Sequence, residues 1–283
     1  MKRLLNCRAS DFRNQPTASG LFTAIQASEG RVVLAEVAAE STPLYPDITG
    51  AELVSAFGAD MILLKSYNTD THTIAGMSEG GGWQRIKDLT GRLVGISLEI
   101  GDKQNTENPR QLSLRTLENI QQADFLCLTG YDKPELNMQT MLEAIDLAQA
   151  HFPGFIIAAK FYAAGLASAK EYAGYIHAGA HAIVVPAPGT CQGSSESVVA
   201  DIIHAVHQAG GLAITTISSS QEGADAETVK LIGLASKRCG SDIHNFGDAG
   251  CCGIADPEAI RALSVAIRGK RHTYVRMAAS ILR

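Results

Sequence analysis

The sequence predicts a closed barrel of eight parallel strands, each followed by a helix, as one α/β domain. Two observations predict it. Eight short apolar runs begin near Val33, Met61, Val94, Phe125, Phe155, Ile183, Ala213 and Ile243. They recur about every 30 residues, the length that one strand, one crossover helix and two turns occupy. The connections also alternate in kind, terse before each run and long and polar after it, which places the variable loops at one end of a barrel.

Taken in order, residues 1 to about 30 form a prelude expected to cover the N-terminal mouth, with the barrel spanning 31–283. Ser10 and Thr17 suit helix N-caps, and Leu21, Phe22 and Ile25 make a short apolar stripe. The runs Met61-Ile-Leu-Leu64, Phe155-Ile-Ile-Ala158 and Ala182-Ile-Val-Val185 are apolar throughout, as strands buried on both faces require. Between the runs the period changes to 3.6: Met138, Met141, Leu142 and Ile145 form one stripe, Val199, Ile202, Ile203 and Val206 another, and Ile260, Leu263 and Ile267 a third. The turns Phe57-Gly-Ala-Asp60, Ala178-Gly-Ala-His181, Ala209-Gly-Gly211 and Cys239-Gly-Ser-Asp242 each supply a glycine where a helix ends in a left-handed residue. The long connections are Ser66 to Gly82, Gly101 to Pro109 and Pro188 to Ser195.

Composition narrows the function. With 46% hydrophobic and 19% charged residues, 283 residues can bury a large core. A net charge of −5 offers no basic footprint for nucleic acid or anionic lipid, and no run spans a bilayer. The first residues turn polar too soon for a signal peptide, and six cysteines in a chain this size read as reduced thiols, so a cytoplasmic protein is expected. His177 and His181 are separated by a glycine turn and so share no helix face, while His204 and His207 could share one but have no acidic or cysteine partner nearby and are expected at the surface. Cys251-Cys252 is not a zinc spacing. Size alone suggests a homo-oligomer, and the basic tail from Arg268 to Tyr274 is expected to close the barrel exterior or meet a neighbouring subunit.

Ionisable residues close four of the runs: Glu36 the first, Lys65 the second, Glu99 the third and Lys160 the fifth. Alternation puts Glu36 with Leu34, Lys65 with Leu63 and Lys160 with Ala158, and one interior layer is expected for all of them. Buried charges are costly unless paired, so acids and lysines should meet there. A desolvated lysine attacks a carbonyl or polarises an enolate, and a carboxylate beside it moves protons. Ala158, Ala159, Ala163 and Ala164 leave room around Lys160, the expected nucleophile, with Lys65 as its electrostatic partner. The same charges would equally serve as an ion-pair network sealing the barrel. Ser97, Thr129, Tyr131, Asp132, His244 and Asp248 add polar groups at strand ends; Asp248, between Gly247 and Gly250, suits catalysis or an Asx turn.

The segment from Phe246 to Ile260 carries glycines at 247, 250 and 253, with Asp256 and Pro257 set to open a helix. The neighbouring Ile217-Ser-Ser-Ser-Gln-Glu-Gly223 adds hydroxyls. An anion site is expected from Ser219, Ser220, Gly223, Gly250, Cys251, Cys252 and Gly253. A rival anion grip is the triplet Gly80-Gly-Gly82, before a tryptophan, Trp83, expected to pack.

In its fold and its Gly247–Gly253 region the chain resembles the phosphate-binding (β/α)8, or TIM, barrels, the broad group that includes ribulose-phosphate epimerase-like and indole-glycerol-phosphate synthase-like enzymes. The resemblance implies a phosphate between the loops after strands seven and eight. Where those relatives show a paired-glycine turn, this chain has Asp-Ala-Gly-Cys-Cys-Gly. The expected function is an enzyme acting on a small phosphorylated carbonyl compound, a sugar-phosphate aldolase or lyase, or an isomerase or epimerase, without an obligatory cofactor. Two alternatives stand beside it: a metal-assisted hydrolase or lyase, with Glu36, Glu99 and Asp248 holding a divalent cation, and a phosphometabolite-binding barrel without turnover.

Overall fold

The computed structural model describes residues 2–77, 80–101, 107–130, 136–160 and 166–283. Eight strands close in chain order, every neighbouring pair parallel and the last returning to the first. They are β1 Val32–Ala38, β2 Met61–Lys65, β3 Leu93–Glu99, β4 Phe125–Thr129, β5 Phe155–Ala159, β6 Ala182–Pro186, β7 Leu212–Ile217 and β8 Ile243–Phe246. The apolar runs find each strand start to within a residue. Among the described residues the α-helices are α1 Ala18–Gln26, α2 Gly50–Ala56, α3 Gly82–Thr90, α4 Leu114–Asn119, α5 Met138–His151, α6 Ala169–His177, α7 Glu196–Gln208, α8 Ala226–Arg238 and α9 Pro257–Met277. None is long and apolar enough to cross a membrane.

The local rules of the sequence explain these bounds. Thr17 caps α1 by accepting from the Gly20 N–H at 3.1 Å, whereas Ser10 lies inside a short 3-10 turn. Asp256 accepts from the Glu258 N–H at 3.0 Å, with Pro257 in the first position of α9. Gly58, Gly179, Gly210 and Gly240 follow α2, α6, α7 and α8 with φ of +115°, +112°, +85° and +100°, conformations that side chains resist. The α7 stripe is buried throughout, while Met138 at the start of α5 stays exposed.

Period-two alternation divides the strands between two cores. On β5, Phe155, Ile157 and Ala159 face the barrel interior, packed in one cluster with Leu21 and Ile25 of α1 and with Leu4 and Phe12. Ile156 and Ala158 face the helices. Lys160 shares the outward parity of Ala158, which removes it from the interior layer expected for it. A one-residue difference of parity is enough to move a side chain through the wall.

The N-terminal end carries a device that the runs do not announce. The residue just before every even-numbered strand accepts a backbone N–H from the preceding strand: Asp60 from Val33 at 2.8 Å, Asp124 from Val94 at 2.9 Å, His181 from Ile156 at 3.1 Å and Asp242 from Ala213 at 2.8 Å. The GAD, QAD, GAH and GSD triplets ending at these residues are its visible trace. Asp242 also holds His207 at 2.8 Å, so the expectation of a histidine without an acidic partner is corrected by the turn that delivers Asp242.

Buried ion pairs tie the C-terminal helix to the same end. Asp60 meets Arg268 at 2.5 Å and Arg276 at 2.6 Å, all three almost wholly buried. Arg276 also donates to the Leu4 and Cys7 carbonyls at 2.9 and 3.1 Å, joining the prelude to α9. The basic tail is thus a clasp on the barrel exterior.

His244 on β8 also points out of the interior, where it meets the Gly30 carbonyl at 3.2 Å through Nε2. Burial pushes its pKa down to about 4 from an ordinary 6.5. The unfolded chain therefore takes up this proton first as pH falls, so the stability His244 confers is full above pH 6.5 and is lost toward pH 4. The expected loss is about 3 kcal/mol, read as a stability gap between the wild type and H244F that changes by that amount between pH 7 and pH 4. A gap independent of pH would show that His244 does not titrate in this way.

Candidate active site

At the C-terminal end of the barrel the inward parity places Glu36 above Leu34, Lys65 above Leu63, Ser97 above Gly95, Thr129 above Cys127 and Asn245 above Ile243. Gly95 is required one layer down because the Phe125 ring crosses the barrel there: a Cβ on residue 95 would lie 2.2 Å from it. Above that plug a water-sized space of about 10 Å³ is lined by Glu36, Lys65, Ser97, Cys127, Thr129 and Asn245. It lies beneath a cleft of about 270 Å³ lined by Lys65, Ser66, Ser97, Glu99, Arg110, Thr129, Asp248 and Ala249.

Lys65 is the centre of this arrangement. Its ammonium lies 3.3 Å from Glu36 Oε2 and 3.9 Å from Asp248 Oδ1, with the lysine side chain 7% exposed. The other Glu36 oxygen accepts from Asn245 Nδ2 at 2.7 Å, and the same amide donates to Thr216 Oγ1 at 2.9 Å. Burial pushes the Glu36 carboxyl above its ordinary range; Lys65 and Asn245 oppose the shift and Asp248 adds to it. Burial, reinforced by Glu36, pushes the Cys127 thiol up to about 12, so Cys127 is no thiolate nucleophile near neutral pH. The backbone at the mouth is strained: Ser66, Ser219, Ser220 and Cys252 have φ of +52°, +62°, +70° and +47°.

The structure thus brings together Glu36, Lys65 and Asp248, with Glu99 lining the same cleft. Lys160 is elsewhere. Its ammonium pairs with Glu171 of α6 at 2.8 Å, and the same carboxylate oxygen accepts from the Tyr175 hydroxyl at 2.5 Å. Tyr131, Asp132, Ala163 and Ala164 lie outside the described residues. Among the described residues no three His, Cys, Asp or Glu side chains converge as a metal site; the Glu36 carboxylate faces an ammonium instead.

The corner expected to hold an anion is packed against itself. Gly223 abuts Gly250, and a Cβ on Gly250 would lie 3.0 Å from the Glu222 carbonyl oxygen. Cys251 and Ile254 exchange both backbone bonds, and the Gly253 carbonyl accepts from the Ala38 N–H at 2.8 Å. Ser219 and Ser220 stay exposed at the rim. Of the glycine triplet only the last, which opens α3, is packed: a Cβ on Gly82 would lie 2.5 Å from the Tyr67 hydroxyl and Trp83 is buried, while Gly80 and Gly81 stay exposed.

Three participants escaped the reading of the sequence. Asn245 was discoverable, since alternation from Ile243 turns it inward. Arg110 lies in a loop, where no period speaks; it reaches the cleft because its carbonyl accepts from the Glu99 N–H at 2.9 Å. One guanidinium nitrogen pairs with Glu40, whereas Nε is buried without a hydrogen-bond partner among the described residues. The third, Glu222, is almost fully buried between the β7 and β8 corners.

Comparison with known proteins supports the fold. The structure of the BexX/CysO complex from Amycolatopsis orientalis is similar with a TM-score of 0.53 at 14% identity, over 87% of this chain and 91% of that one. A 2,3-dimethylmalate lyase, described as a PEP mutase/isocitrate lyase superfamily member, gives 0.51 at 14% identity over 81% and 80%. The YdjI aldolase from Escherichia coli K12 gives 0.50 at 9% identity over 91% and 95%. At these identities the likeness is one of fold. No curated protein matches the sequence. A family model described as a domain of unknown function (DUF7916) matches residues 5–283, and the chain belongs to that family.

Proposed function

We propose that this member of the DUF7916 family is an enzyme that performs acid–base chemistry on a small carbonyl compound, as a lyase or isomerase. The observation that carries the reading is the buried Lys65 ammonium, 3.3 Å from a carboxylate whose proton affinity burial has raised, at the floor of the cleft. A lysine there meets a substrate carbonyl. It either polarises it as a cation or, after losing a proton, adds to it with loss of water to form an iminium. Glu36 is the group placed to hold that proton, and Asn245 fixes its orientation through the other carboxylate oxygen. The aldolase and lyase among the similar folds are compatible with this chemistry.

The substrate carries an anionic group, a phosphate in the finer form of this reading, which is received by Arg110. That guanidinium borders the cleft beside Glu99, with its buried Nε available to an acceptor.

Borohydride reduction in the presence of a panel of sugar phosphates, unphosphorylated sugars and 2-oxo acids tests the proposal. The expected result is a stable adduct located by peptide mass analysis on Lys65 and lost in K65R. Turnover without any adduct would assign Lys65 the electrostatic role and the reaction to isomerisation. An adduct on Lys160 would overturn the assignment.

A further inference from the structure

We propose that the Glu222 side chain is a built-in plug, seated where the β7 and β8 corners of a barrel would otherwise receive a substrate phosphate, so that this corner refuses phosphate. The inference rests on the preceding reading only for the substrate it excludes; the seat itself is a matter of geometry.

Loops after the last two strands of such barrels often make a phosphate site from backbone N–H groups and close glycine approaches. The close glycine approaches are present here, and they are directed at the chain's own Glu222. Burial raises the Glu222 carboxyl above its ordinary range, and its Oε2 is buried without a hydrogen-bond partner among the described residues. The glycines close in on the same residue: a Cβ on Gly247 would lie 3.2 Å from Glu222 Oε1, and one on Gly250 would lie 3.0 Å from its backbone oxygen. Glu222 is 2% exposed, so no room remains beside it for a phosphate.

Charge makes the exclusion stronger than shape alone. Asp248 is close enough to act electrostatically on Glu222. The cation that pairs with that aspartate among the described residues is Lys65, already shared with Glu36. A dianion brought to this corner would meet the Glu222 plug with Asp248 beside it, and negative charges brought together without screening repel strongly. Arg110 lines the same cleft from the loop after β3. A substrate anion is therefore received from that side, and Glu222 sets which end of the substrate points where.

The test uses inorganic phosphate and the full chain, with R110M as background so that Arg110 does not contribute. Calorimetry is expected to show no phosphate binding in R110M, which retains Glu222. The double variant E222A/R110M is expected to bind phosphate at least about tenfold above the detection limit that R110M fails to reach, with a melting temperature that rises with phosphate. E222Q, which keeps the occupant and removes its charge, is expected to stay closed. Phosphate binding at this corner with Glu222 in place, shown by crystals soaked in phosphate, would overturn the proposal whether or not E222A folds. A folded E222A that gains no binding would overturn it too. Neither readout depends on Lys65 chemistry, so a failed borohydride experiment leaves this result interpretable.

Discussion

Replacing Lys65 with methionine is expected to lower turnover by on the order of a thousandfold, whichever carbonyl compound from the trapping panel is the substrate. Methionine matches the stem of the lysine but supplies neither a nucleophile nor a cation. The obvious objection is that the variant leaves Glu36 buried opposite a neutral side chain, which for an ionised carboxylate is strongly destabilising. Glu36 has a way out, because burial already raises its proton affinity and loss of the ammonium raises it further. A neutral Glu36 still accepts from Asn245, so K65M is expected to fold. The double variant E36Q/K65M separates the two effects: it should melt close to the wild type and remain inactive, since a neutral pair is tolerated where an isolated charge is not. K65M with turnover within about tenfold of the wild type would remove Lys65 from the mechanism.

Asp60→Asn is expected to be the most destabilising conservative change in the chain, costing about 3–5 kcal/mol in urea or thermal unfolding. Burial works to raise the Asp60 carboxyl, but Arg268 and Arg276 outweigh it and hold it below the ordinary carboxylate value. Asparagine keeps an oxygen for the Val33 N–H and loses the charge that balances two guanidiniums at 2.5 and 2.6 Å. Arg92 is buried alongside and donates to the Arg276 carbonyl at 2.8 Å, so three cations would then share one buried site without an anion. The damage should concentrate where the network reaches, at α9 and the prelude, and appear there first as faster hydrogen exchange. A D60N protein within about 1 kcal/mol of the wild type would mean that water or rearrangement supplies the missing charge.

Much of the architecture was legible in the sequence because the information is local. Each strand is a run of apolar residues long enough to be recognised alone, and each helix stripe repeats over several turns. Gly58, Gly179, Gly210 and Gly240 mark places where the backbone needs positive φ, a property of one residue. Glu36 and Lys65 were legible for the same reason: both lie within their strands, Lys65 as the last residue of β2, where alternation from Leu34 and Leu63 leaves no choice of face.

What the tertiary structure decided is which groups meet. Lys160 reads like Lys65 in composition and position, yet its parity with Ala158 sends it to Glu171 on α6. The serines and glycines of the last two corners read as a cradle for a foreign anion, whereas the structure buries the side chain of Glu222 at that corner. Arg110 comes to the mouth along a loop with no repeat to betray it. Apolar periodicity reports how a residue sits relative to its own backbone, so it specifies elements and faces. Partnership between charges depends on distances across separate βα units, set only when the ring closes, and there a shift of one residue exchanges the interior for the outside.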